Sequence, residues 1–169
     1  MKASDYIVEF LIAHGVTDAF GYPGGMLTHL MDSFSHYEDS IKAHVCYNEQ
    51  GASFEACGYA QASGKLGVAY ATSGPGATNL ITGICNAYFD SIPVLFITGQ
   101  VNTFESKKGY KVRQRGFQET DICSLTKKIT KFSHYVTDEG DLTQSLEKAY
   151  DMAMSGRKGP VLLDIPMDI

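Results

Sequence analysis

Glu49 is the residue best placed to do chemistry. It lies in Tyr47-Asn48-Glu49-Gln50-Gly51-Ala52, where an apolar run from Ile41 to Tyr47 gives way to a Gly/Ala-rich stretch. Further on, a second apolar run leads into Thr72-Ser73-Gly74-Pro75-Gly76-Ala77-Thr78-Asn79. A lone carboxylate can hold or share a proton, and a glycine turn lets a ligand approach backbone closely. If both segments are strand-to-helix junctions of one parallel sheet, both face the crevice at its carboxyl edge, where ligands bind. Glu49 taken alone also reads as a favourable acid in the first turn of a helix. Its surroundings decide between the two readings.

Those surroundings alternate between helix and strand periods. Ser4 is expected to cap a helix bearing Tyr6, Ile7, Phe10, Leu11 and His14, with Gly15 as its stop. A strand over 18–22 runs into Pro23-Gly24-Gly25 and a helix carrying Leu27, Leu30, Met31 and Phe34. Strand 41–47, helix 49–63, strand 67–72, helix 76–89 and strand 93–98 follow. Beyond a polar segment come a short helix near 120–128, strand 131–136, helix 141–155 and strand 161–165. The pattern predicts a doubly wound α/β fold: a six-stranded, mainly parallel sheet with helices on both faces. Runs such as Pro93-Val94-Leu95-Phe96-Ile97-Thr98-Gly99 suit strands buried on both sides.

At 169 residues the chain is read as one domain, 1–169, large enough for a core of its own. A net charge of −5 argues against nucleic acid as a partner. No run approaches the roughly 20 apolar residues of a membrane span, and the start lacks a signal-peptide pattern, so a cytoplasmic protein is expected. Cys46, Cys57, Cys85 and Cys123 have no metal-ligand spacing and are expected to be buried free thiols. His14, His29, His36, His44 and His134 show no ligand spacing either, so no metal site is expected. Asn102 to Gly116, with Lys107, Lys108, Lys111, Arg113 and Arg115, is expected to be a solvated loop that orders against a neighbouring domain or subunit, a dedicated anion site being the alternative.

The turn at 74–79 comes close to a dinucleotide fingerprint, but Asn79 stands where the third glycine belongs. The next strand also ends Ile97-Thr98-Gly99-Gln100, without the acid that would hold a ribose. A different likeness covers nearly the whole chain. FGYPGG (20–25), NEQGASFEACGYAQASGK (48–65), ATSGPGATNLITGI (71–84), DSIPVLFITGQV (90–101), GFQETD (116–121) and SGRKGPVLLDIPMDI (155–169) occur in order. The chain thereby resembles the pyrimidine-binding domain of thiamine diphosphate enzymes, most closely the acetolactate synthase (acetohydroxyacid synthase) large-subunit group.

That resemblance implies thiamine diphosphate as cofactor and decarboxylation or carboligation of a 2-oxo acid. It gives Glu49 the catalytic role of hydrogen-bonding the ring nitrogen N1′, which lets the cofactor's 4′-amino group take the thiazolium C2 proton. A ring laid over a carboxylate excludes water from it, which suits a shared proton. By motif matching, Pro75, Asn79, Gln118, Tyr22 and Gly24 join Glu49 in binding the cofactor. The diphosphate would be held through Mg²⁺ by a Gly-Asp-Gly…Asn-Asn segment; Gly140-Asp141-Leu142 is not one, so another domain is expected to supply it. FAD is implied only for a full-length enzyme. The expected setting is an excised N-terminal domain, or else the pyrimidine-binding subunit of a two-chain enzyme, with middle and diphosphate-binding domains on the same or a partner chain in a homodimer or tetramer. The small residues of 49–63 and 76–89 are expected to serve close approach between helices, in part across a two-fold contact.

Asn48 departs from the synthase pattern, which usually has His before the glutamate, and is closer to the pyruvate decarboxylase pattern. The stretch 102–116 is also longer than in typical synthases. A simple 2-oxo acid decarboxylase therefore stays open, as does a non-catalytic α/β module that binds a nucleotide or serves as an oligomer scaffold.

Overall fold

In the computed structural model, which describes residues 2–169, six strands form one sheet in the order β2-β1-β3-β4-β6-β5, every neighbouring pair parallel. The strands are β1 (Asp18–Gly21), β2 (Lys42–Val45), β3 (Gly67–Ala71), β4 (Val94–Gln100), β5 (Phe132–Tyr135) and β6 (Val161–Pro166). The helices are α1 (Ala3–Ala13), α2 (Thr28–His36), α3 (Glu49–Ser63), α4 (Pro75–Asn79), α5 (Ile81–Asp90), α6 (Ile122–Thr126) and α7 (Glu139–Met154). Single 3₁₀ turns lie at Gly25–Leu27 and Thr103–Glu105.

Side chains on a strand alternate between faces, and two cores follow from that period. Val68, Tyr70, Leu95, Ile97, Val161 and Leu163 pack with α1, α2 and α7. Ala69, Ala71, Val94, Phe96 and Leu162 pack with α3, α4, α5 and α6. Crossovers running one way along the sheet (β2→β3, β3→β4, β4→β5) use the second face, and those running back (β1→β2, β5→β6) use the first. Right-handed crossovers require that division.

Several sequence expectations are corrected by packing. Ser4 does not cap α1: Lys2 stands at the N-cap without a side-chain bond. The Ser4 hydroxyl instead lies 2.8 Å from Ser33 Oγ, which also reaches Asp5 Oδ1 at 2.7 Å, so the small polar residues join α1 to α2. The strand expected over 41–47 shortens to β2, a partly exposed edge strand, and Tyr47 beyond it is fully exposed. The helix expected over 76–89 divides at Leu80, whose N–H bonds the Ala77 carbonyl three residues back and tightens the joint. Cys46 and Cys57 are buried free thiols, but Cys85 and Cys123, though free, are only partly buried. Most small residues of α3 serve the domain itself: Ala52, Ala56 and Ala60 are buried, and a Cβ on Gly67 would strike the Ala56 carbonyl. Gly83 of α5 likewise leaves space that Ser53 of α3 fills. Gly51 and Gly58, by contrast, face open space.

Candidate active site

After β1 the chain turns toward β2, and after the adjacent β3 it turns toward β4. Their carboxyl ends thus flank a topological switch point, the place where open α/β sheets bind ligands. The exit from β1 carries Tyr22 and Gly24; the exit from β3 carries Thr72 and the glycine turn. These exits touch because residue 24 has no side chain: a Cβ there would lie 2.5 Å from Thr72 Cβ. The Met26 N–H reaches Thr72 Oγ1 at 3.4 Å.

Glu49 enters from the other side as the first residue of α3, whose N-cap Asn48 accepts from the Gln50 N–H at 2.8 Å. Its carboxylate accepts from Asn79 Nδ2 at 2.9 Å through Oε2. Oε1 lies 3.2 Å from where a Cβ on Gly76 would be, with Thr72 Cγ2 at 2.9 Å from the same point. Glu49 is only 9% exposed, while Pro75 and Asn79 stand at the surface. The acid therefore lies just below a surface formed by Pro75 and Asn79.

Gln118 closes the far side. Gly74 has φ +65°, and a Cβ on it would meet Gln118 Cβ at 2.6 Å. Gln118 is itself left-handed at φ +59°, a conformation that a non-glycine residue holds only when its surroundings impose it. The structure thus brings Glu49, Pro75, Asn79, Gly24 and Gln118 to one crevice. Tyr22 borders it with a ring 43% exposed, and among the described residues it makes no side-chain hydrogen bond to the others.

Thr72 escaped the sequence reading although it contacts both glycine-bearing loops. Its position just before the glycine turn was the available signal. Glu119 was also missed. It accepts from the Lys107 N–H (2.7 Å), the Arg115 N–H (2.8 Å) and the Ser106 hydroxyl (3.3 Å), and so folds the basic segment 102–116 around itself. Burial pushes its carboxyl up, but the backbone N–H groups of Lys107, Arg115 and Gly116 outweigh that and hold it below the usual range. Arg115 donates to the Phe104 carbonyl at 2.7 Å and lies 5.0 Å over the Tyr110 ring; Lys107 Nζ caps the Arg113 carbonyl at 2.9 Å. The segment thus carries internal hydrogen bonds of its own. Among the described residues no group of three or more His, Cys, Asp or Glu could hold a metal ion, and no helix is long and apolar enough to cross a membrane.

The profile described as "Thiamine pyrophosphate enzyme, N-terminal TPP binding domain" matches residues 1–125, a span that includes every residue of the crevice. The chain belongs to this thiamine pyrophosphate enzyme family. Within it, the chain is 46% identical over 169 residues to the acetolactate synthase isozyme 2 large subunit of Escherichia coli (strain K12), covering 100% of this chain and 29% of that protein. It is 47% identical over 165 residues to the acetolactate synthase of Arthrospira platensis, with 96% of this chain and 28% of that one aligned. The acetolactate synthase large subunit of Lactococcus lactis subsp. lactis is 42% identical over 168 residues, or 99% of this chain and 28% of the relative. The chain therefore spans less than a third of the length of these relatives.

Proposed function

We propose that this chain is the pyrimidine-binding domain of an acetolactate synthase-like enzyme that decarboxylates a 2-oxo acid, joins it to an acceptor, or does both. The observation that carries the reading is the Glu49 carboxylate, bonded by Asn79 and set against Gly76 at the switch point. These residues fit the aminopyrimidine end of thiamine diphosphate: an almost buried acid stands among loops that Gly24, Gly74 and Gly76 let pack closely against Thr72 and Gln118. When bound, that cofactor supplies the carbon nucleophile and electron sink that decarboxylation needs.

With the cofactor bound, the Glu49 carboxyl group would hydrogen-bond the ring nitrogen. Asn79, through its N–H, fixes one carboxylate oxygen and leaves the other free to face the crevice. Gly74 and Gly76 let Gln118 and Thr72 pack close beside the acid, and Gln118 and Pro75 bound the site. Asn48 caps α3, a local task, and so does not favour a simple decarboxylase over a synthase.

The remaining lengths of the relatives leave room for domains that hold the diphosphate and Mg²⁺. The outer face of α3, with Gly51 and Gly58 open and Phe54 exposed on the same helix, supports a contact with a second subunit. The test is carbon dioxide release from 2-oxo acids by the full-length protein with thiamine diphosphate and Mg²⁺. Glu49→Gln keeps the shape and loses the acid, so turnover is expected to fall about 10²–10⁴-fold with the melting temperature unchanged. Near-normal turnover would leave Glu49 a structural role only.

A further inference from the structure

A second polar cluster lies at the carboxyl ends of β4 and β6. Asp164 of β6 is 2% exposed and pairs in register with Thr98 of β4. It accepts from Thr98 Oγ1 at 2.7 Å and from Gln100 Nε2 at 2.9 Å. Gln100 Nε2 also donates to the Thr120 carbonyl at 2.8 Å, and its Oε1 accepts from the Val101 N–H at 2.9 Å. The amide has one orientation that satisfies all three partners, and the carboxylate selects it, because a flipped amide would aim an oxygen at Asp164 and at a carbonyl. A charged residue in an otherwise apolar central strand is costly unless it is bonded, and here each carboxylate oxygen has a donor.

Thr120 stands two positions beyond Gln118, the left-handed residue packed on Gly74. At the other end of the segment, Gly116 fits against Val101, where a Cβ would lie 2.6 Å from Val101 Cγ1. The stretch that carries Gln118 is thus anchored twice, at 116 by packing and at 120 by the Gln100 amide. Those anchors, together with the Glu119 carboxylate bonded to Ser106, Lys107 and Arg115, hold its left-handed backbone.

We propose that Asp164 and Gln100 are positioning residues: the carboxylate orients the Gln100 amide, the amide holds the Thr120 carbonyl, and Gln118 is thereby kept over the Gly74 turn. This rests on the reading of that turn as the cofactor cradle. Gln100→Leu removes all three amide bonds, so the segment relaxes toward negative φ and the Gln118 side chain leaves Gly74.

The test is a double-mutant cycle in the full-length protein with Gln100→Leu and Gln118→Ala, reading KM for thiamine diphosphate and kcat. Each single variant is expected to raise that KM by about tenfold, a loss of about 1.4 kcal/mol, and the double variant to be no worse than the poorer single. Fully multiplicative effects would overturn the proposal. So would an unchanged KM in Gln100→Leu beside a raised one in Gln118→Ala, which leaves the cradle reading standing. An unchanged KM in Gln118→Ala would remove the cradle reading of that residue and the proposal with it. If Gln100→Leu does not fold, Gln100→Met serves in its place. Amide hydrogen exchange over 116–121 gives an independent readout: protection there is expected to fall at least about tenfold, against unchanged β3 and β4. Protection equal to wild type would contradict the anchoring.

Discussion

Glu49 and Asp164 stand at the same edge of the sheet, one opening α3 and the other inside β6. Glu49 has Asn79 as its one side-chain donor among the described residues, and its other oxygen lies against Gly76. Asp164 is enclosed, with Thr98 on one oxygen and Gln100 on the other. Burial pushes the Asp164 carboxyl up to about 7, the two hydrogen bonds work against that shift, and Asp121 adds to it. An acid that must meet a ligand keeps acceptor capacity free beside an opening. An acid that braces a loop has its capacity used from within.

The sharpest way to break the first region is Gly74→Ala. It forces a side chain into a left-handed residue and into Gln118 at once, so we expect about 1–3 kcal/mol of destabilisation and loss of cofactor binding, read by thermal melting and calorimetry. Gly76→Ala is gentler on the fold, because φ there is not left-handed. Its Cβ presses on Thr72 and on Glu49 Oε1, so turnover is expected to fall about tenfold or more, with a stability cost under about 1 kcal/mol. Equal losses in turnover and stability would mean that Gly76 serves packing alone.

The second region is probed by pH. The folded-state value for Asp164 is raised above the usual one. Between about 4 and about 7 the folded chain therefore holds a proton that the unfolded chain has released. The group favours folding most below that window, and its contribution is lost as pH rises through about 7. Asp164→Asn can donate to Thr98, accept from Gln100 and not titrate. We expect it to be more stable than wild type at pH 8 by roughly 1–3 kcal/mol, with the advantage gone below pH 4. Parallel pH profiles would contradict the buried-acid reading. The smallest effect is expected from Asn48→Ala, which removes the cap of α3 and leaves the Glu49 acid: about 1 kcal/mol, measured by denaturant midpoint.

Much of this was legible in the chain before folding. β3 and β4 read as strands because continuous apolar runs fit burial on both faces, and the alternation with helices dictated a parallel sheet. Glu49 and the 74–79 turn read as neighbours because successive strand ends of such a sheet share an edge. Ser4 misled because the residue types that cap a helix also bridge two helices. Leu80 gave no sign of a break, since nothing in its type forbids a helix. The Gln118 contact with Gly74 and the link from Asp164 to Gln100 join positions far apart in sequence. The second exists because β6 inserts between β4 and β5, a choice made by crossover direction rather than by any local pattern.

The central claim, that Glu49 supplies the acid that activates the cofactor, is tested most directly by deuterium exchange at C2 of thiamine diphosphate bound to the full-length protein, followed by acid quench and proton NMR. With the cofactor at full occupancy, Glu49→Gln is expected to slow that exchange by about 10²–10⁴-fold. Exchange at the wild-type rate in the same variant would contradict the account.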